Sequence, residues 1–285
     1  MFIQMYKERY MRFPEGREKA VTFSYDDGVK ADKRLVALFN EYGLKGTFNL
    51  NSELFDIVGE WHGRMSEEET YQTFANSGQE VALHGARHIF MTKVPLHMAV
   101  KEVADNRAYM EKKYQRIVNG MAYAYGDFNE QIIDVLGELG VTYARTTEST
   151  HSFDIPENWL KLNPTCHHTE KCLDGLCDRF LNENPFEEKK MREPKLFYVW
   201  GHSFEFDEQD NWYIIENLAK RVSGRKEIWY ATNGEIYDYV KCYESLVFSY
   251  DGESVYNPSH SDVWCELRGK VYKIPSGGRV IFDKI

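Results

Sequence analysis

Ala20-Val21-Thr22-Phe23-Ser24-Tyr25-Asp26-Asp27-Gly28 reads as a buried strand that ends in two adjacent carboxylates and a glycine. Val21, Phe23 and Tyr25 suit a pleated, packed surface. Asp26 and Asp27 are poor strand residues and mark where the strand runs out, and Gly28 can take φ > 0 and turn the chain behind them. In α/β proteins the C-terminal ends of parallel strands are where catalytic groups collect. Taken alone, the Asp-Gly pair reads equally well as an ordinary turn with solvated carboxylates.

Further along, Glu80-Val81-Ala82-Leu83 is a second short apolar strand, and it delivers His84-Gly85-Ala86-Arg87-His88. Two histidines four apart lie on one side of a helical turn and can grip one metal ion. With one aspartate they make a two-His, one-carboxylate set that leaves coordination positions open for water and substrate.

Apolar spacing predicts a helix over 29–42 stopped by Gly43, a strand over 46–50, and a helix opened by a capping box at Ser66 and Glu69 and ended by Gly78. Helices over 95–114 and 129–139 and strands over 121–125 and 141–145 follow. Strands at 197–200 and 228–231 flank a helix at 209–222. This alternation is the pattern of a parallel sheet with helices outside. From Leu246 the pattern changes to short alternating segments with a Pro275-Ser276-Gly277-Gly278 turn. The reading is therefore a parallel α/β unit over 1–242 carrying a small C-terminal β appendage over 243–285, packed on it rather than forming a separate domain.

A chain of 285 residues can bury a large core, and its Lys+Arg of 35 against Asp+Glu of 45 gives a net charge of −10. That balance argues against nucleic acid, which needs a basic surface. No apolar run approaches the roughly eighteen residues of a membrane span. The stretch from Met1 to Tyr10 lacks the apolar core of a signal peptide, so the expectation is a cytoplasmic protein. Five cysteines, Cys242 and Cys265 isolated among them, do not form a disulfide framework. Cys166, Cys172 and Cys177 lack the short spacings of structural zinc knuckles, so no second metal is expected in that segment, and His168 beside them is a candidate to touch substrate.

Asp26-Asp27-Gly28, His84-x-x-x-His88, Ala124-Tyr125-Gly126 and Trp200-Gly201-His202, in that order and each at an apolar strand end, resemble the motifs of the polysaccharide deacetylases of carbohydrate esterase family four. The resemblance spans about residues 18–240 and implies a distorted (β/α)7-type barrel and one divalent metal ion, zinc first. It implies Asp27, His84 and His88 as the metal ligands, Asp26 as the base, His202 as the acid and the Tyr125 backbone N–H as the oxyanion donor. Two departures stand out. The arginine that in the family precedes the Tyr-Gly motif is absent, and Arg145 is the natural substitute. Trp200 holds the usual apolar position before the acid histidine and would shape the acetyl pocket. Glu148 and Asp154 are candidates for the carboxylate behind His202, while Glu205 and Asp207 read as loop carboxylates. The implied activity is removal of an acetyl group from an N-acetylated sugar or oligosaccharide. An O-acetyl esterase, an amidase on a non-sugar amide, or an inactive carbohydrate-binding relative are the alternatives.

Overall fold

The computed structural model describes residues 9–55, 63–182 and 193–283. The elements run β1 (Arg9–Arg12), β2 (Lys19–Asp26), α1 (Asp32–Tyr42), β3 (Gly46–Leu50), α2 (Glu67–Phe74), β4 (Glu80–Leu83), α3 (Leu96–Tyr114), β5 (Gly120–Ala122), α4 (Glu130–Glu138) and β6 (Tyr143–Arg145). They continue with β7 (Cys166–His167), α5 (Leu173–Asn182), β8 (Lys195–Gly201), α6 (Phe204–Glu208), α7 (Tyr213–Val222), β9 (Ile228–Tyr230) and α8 (Asn233–Glu244). Five short strands complete the described chain: β10 (Val247–Phe248), β11 (Ser254–Tyr256), β12 (Val263–Leu267), β13 (Lys270–Ile274) and β14 (Arg279–Ile281).

The local signals act where the sequence puts them. Gly43 takes φ 65° at the end of α1, where its N–H and that of Leu44 bond back to Asn40 and Phe39 carbonyls. Ser66 and Glu69 form the reciprocal capping box of α2. Two boundaries differ. The strand expected to reach residue 125 stops at Ala122, because the chain leaves it in a left-handed turn at Tyr125. The helix expected over 209–222 begins only at Tyr213, as α7, and a separate five-residue helix, α6, precedes it outside the expected range.

The parallel sheet has the path β6-β5-β4-β3-β2-β8-β7, with β9 pairing the start of β2. It curls into a distorted barrel: Leu162 hydrogen-bonds to Ala144 and Thr146 beside β6, while Thr165 and His168, a few residues on, bond to β8 carbonyls. All residues of β2 and β3 are buried, as expected for strands covered on both faces. Phe23, Tyr25, Phe39, Phe48 and Phe74 pack together between sheet and helices. Fully burying each such ring is worth about 1.5–3 kcal/mol. The antiparallel strands form two three-stranded sheets, β1-β12-β13 and β10-β11-β14, and the first recruits β1 from the N-terminal side. Among the described residues no helix is long and apolar enough to cross a membrane.

Asp32, the first residue of α1, is 1% exposed, accepts a bond from Ser203 Oγ at 2.5 Å and another from the Val29 N–H at 3.0 Å. Burial, with Asp27 and Asp26 nearby, pushes its pKa up to about 8 from an ordinary 3.8. The folded chain thus keeps a proton that the unfolded chain releases, and stability is lost as pH rises through that window. Asp32→Asn should remove the slope. Its melting temperature relative to the parent is expected to be higher at pH 8 than at pH 5 by at least about 4 °C, read by thermal denaturation. A pH-independent difference would contradict the protonated state.

Candidate metal and acid–base site

The C-terminal ends of six neighbouring strands meet at one place. β2 ends at Asp26, which pairs with Asn49 of β3, and Ala122 of β5 pairs with Arg145 of β6. His84 directly follows β4, and His202 directly follows β8. A parallel barrel brings together side chains that are far apart in sequence because every strand points its end the same way.

Three donor atoms converge. His88 Nε2 lies 3.1 Å from His84 Nε2, and Asp27 Oδ1 lies 3.9 Å from His84 Nε2 and 3.6 Å from His88 Nε2. Such edges belong to donors about 2 Å from a common centre, the Zn–N and Zn–O bond length. His84 Nδ1 is 2.9 Å from the Ala122 carbonyl, which fixes its proton there and leaves Nε2 a lone pair. The residues fit a divalent cation. Asn51 bonds to the His84 and Gly85 carbonyls, Asn106 Oδ1 accepts from the His84 N–H, and Glu102 accepts from the Arg87 N–H, so the 84–88 turn is clamped from several sides.

Backbone strain gathers at the same point. Asp27, His88 and Tyr125 all have positive φ, 85°, 58° and 58°, in the region L side chains avoid. Each such residue costs about 1–3 kcal/mol and persists only where the surroundings over-determine it. Tyr125 stacks on Phe90 at 3.9 Å and sets its edge against His88 at 4.3 Å.

The two carboxylates have separate partners. Asp26 receives Asn49 Nδ2 on Oδ1 at 2.8 Å and the Arg145 guanidinium on Oδ2. Asp27 receives Arg64 Nη2 on Oδ1 at 2.8 Å, and Arg64 also bonds the Asp27 carbonyl and Asn51 Oδ1. Burial alone pushes the Asp26 carboxyl up, but Arg145, His84 and His202 outweigh it and hold Asp26 well below the usual carboxylate range. Asp27 is likewise raised by burial but held down by His84, Arg64 and His88. Burial, with His84 beside it, takes the His88 pKa down to about 3, so its ring is neutral and able to bind a cation.

His202 places Nε2 3.8 Å from Asp26 Oδ2 and Nδ1 3.3 Å from Glu205 Oε1. The carboxylate beside it is therefore Glu205 of α6. Glu148 is exposed, and Asp154 is bonded to Ser152 at the surface. Glu205 looked like a loop residue because the sequence shows no helix there. Burial lowers the His202 pKa, but Glu205, Asp26 and Asp27 raise it further, to a net value above the ordinary. Trp200 lies across the Arg145 guanidinium at 4.3 Å, with its buried indole N–H unpaired within the described chain. His168 is not on the site wall where the sequence reading sets it: its side chain has 0% exposure, sealed between Phe206 and Tyr25. Sequence reasoning passed over Asn49, Asn51 and Arg64. The two asparagines alternate on an otherwise apolar strand end, which was a usable signal; Arg64 precedes α2 with no distinguishing pattern.

The sequence profile described as polysaccharide deacetylase matches residues 13–144. Over that span the chain is similar to the polysaccharide deacetylase family. No curated protein matches. Among solved structures, a Mycobacterium smegmatis protein assigned by name to the polysaccharide deacetylases is 14% identical with a TM-score of 0.58, aligning 82% of this chain and 94% of its own; it shares the barrel fold. The peptidoglycan deacetylase PdaC of Bacillus subtilis is 16% identical with a TM-score of 0.49, covering 80% and 94%. The deacetylase PplD of Streptococcus pyogenes is 17% identical with a TM-score of 0.44, covering 49% of this chain, which spans 61% of that one.

Proposed function

We propose that this chain is a metal-dependent hydrolase that removes an acetyl group from an N-acetylated sugar or oligosaccharide. The observation that carries the reading is the meeting of Asp26, Asp27, His84, His88 and His202 at one strand-end site, with Asp27, His88 and the adjoining Tyr125 held at positive φ.

Asp27, His84 and His88 would hold the divalent cation, zinc by donor type. When bound, such an ion brings the pKa of water towards 7 and polarises a carbonyl. Asp26 is charged and fixed by Asn49 and Arg145, so Oδ2 is the atom to accept the water's proton. His202 Nε2 hands a proton to the leaving nitrogen, with Glu205 at Nδ1 holding the ring protonated and oriented. The Tyr125 backbone N–H would donate to the developing oxyanion, a contact of the kind worth about 3 kcal/mol. Trp200, its ring held flat against Arg145, would shape the acyl pocket.

The test is acetate release across a panel of N- and O-acetylated mono- and oligosaccharides, with metal-loaded and chelated protein. Release from N-acetylated sugars that vanishes on chelation is the expected result. Release confined to O-acetyl esters corrects the substrate, and none from any member sinks the hydrolase reading.

A further inference from the structure

His167, His168 and Glu205 form a second convergent group behind His202. Their ligand atoms lie within 4.8 Å of one another, and Glu205 Oε2 is 3.2 Å from His167 Nε2 and 3.0 Å from His168 Nε2. Successive strand residues point to opposite faces. β7 ends at His167, so the chain can turn both rings towards one oxygen. Aromatic packing sets the rings: His168 stacks on Phe206 at 4.1 Å, and His167 meets Trp200 edge-on at 4.6 Å. A Cβ on Gly201 would come within 2.0 Å of His168 Nδ1, so the ring occupies space that only glycine leaves.

His168 is the informative member. It is fully buried; among the described residues Nδ1 has no hydrogen-bond partner, and Nε2 has only the Glu205 Oε2 ion pair at 3.0 Å. Buried polar groups are almost always paired. Two imidazoles and one carboxylate with donor atoms about 3 Å apart match the edges of a coordination polyhedron.

Against the expectation drawn from the cysteine spacings, we infer that His167 Nε2, His168 Nε2 and Glu205 Oε2 bind a second divalent transition-metal cation, one of the zinc type that accepts imidazole and carboxylate together. His167 Nδ1 lies 2.8 Å from Thr169 Oγ1 and donates to it in the bound form, which frees Nε2. Without a cation the same Nδ1 accepts from the Thr169 N–H at 3.2 Å, and Nε2–H simply faces Glu205. Glu205 Oε1 remains turned to His202. The ion therefore fastens α6 to the end of β7 and holds the carboxylate against the His202 ring. The cysteines take no part: Cys166 is buried in the apolar core, and burial pushes its thiol up.

The test is the number of ions per chain, measured by plasma mass spectrometry on the full chain loaded with zinc and desalted, for the parent, His88→Ala, His168→Ala and His167→Ala. His167 is partly exposed, so its variant is the safeguard if the buried His168→Ala misfolds. Two ions in the parent, one in each single variant and none in His88→Ala/His168→Ala are expected. One ion in the parent, kept in both His167→Ala and His168→Ala, overturns the second site. A loss in His167→Ala with no loss in His88→Ala keeps it and counts against the Asp27 site instead.

Discussion

His88→Ala is expected to remove one equivalent of divalent cation and to lower turnover by at least ~10³-fold, the scale on which essential catalytic groups act. His88 supplies one of the three donors that converge among the described residues, and its buried ring has a pKa lowered to about 3, so at neutral pH no proton competes with a cation for it. Removing the ring leaves Asp27 and His84, two donors whose remaining partners are Arg64 and Asp26. The alanine variant keeps the strained backbone at φ 58° and gains no stability from relief. His88→Gly separates the two effects. Glycine tolerates that φ, so this variant should lose the same ion while melting no lower than His88→Ala. Metal analysis and thermal denaturation read both quantities. Full cation content in either variant would place the ion elsewhere.

What was legible in the sequence was local. Asp26-Asp27-Gly28 and His84-x-x-x-His88 are contiguous patterns at the ends of apolar strands, and a parallel barrel turns such ends into neighbours without further information. The capping box of α2 and the glycine stop of α1 are equally local. Arg64 and Glu205 were not legible in this way. Each reaches its partner from an element with no strand period, and Glu205 sits in a five-residue helix too short to show helical spacing. The convergence of His167 and His168 was hidden for a related reason. Adjacent histidines read as opposite faces of a strand, and only the end of β7 at His167 brings them to one side. β1 was missed because four residues with mixed polarity carry no pattern until β12 lies beside them.

Asp26→Asn should cost ~10³-fold in kcat with metal content unchanged, since the amide keeps the shape but accepts no proton. Arg145→Ala should cost at least ~10²-fold, and it is the sharper test because Arg145 touches Asp26 and no other carboxylate among the described contacts. Its guanidinium has 0% exposure and lies under Trp200, so the pair is shielded from solvent and from salt. Taking the arginine away leaves a buried carboxylate whose largest remaining influence is burial, which raises its pKa. Protonation of the base then begins at higher pH. The acid limb of kcat/KM should shift upward in Arg145→Ala relative to the parent, a change that a merely structural role would not produce. Arg145→Lys keeps a charge but loses the planar fork, so its limb should fall between the two, and it guards against a variant that fails to fold. The two positions act as a unit: in Asp26→Asn, adding Arg145→Ala should lower kcat by less than about threefold more. Near-normal turnover in Arg145→Ala, or full additivity in the double variant, would leave Asn49 as the one group that orients the base.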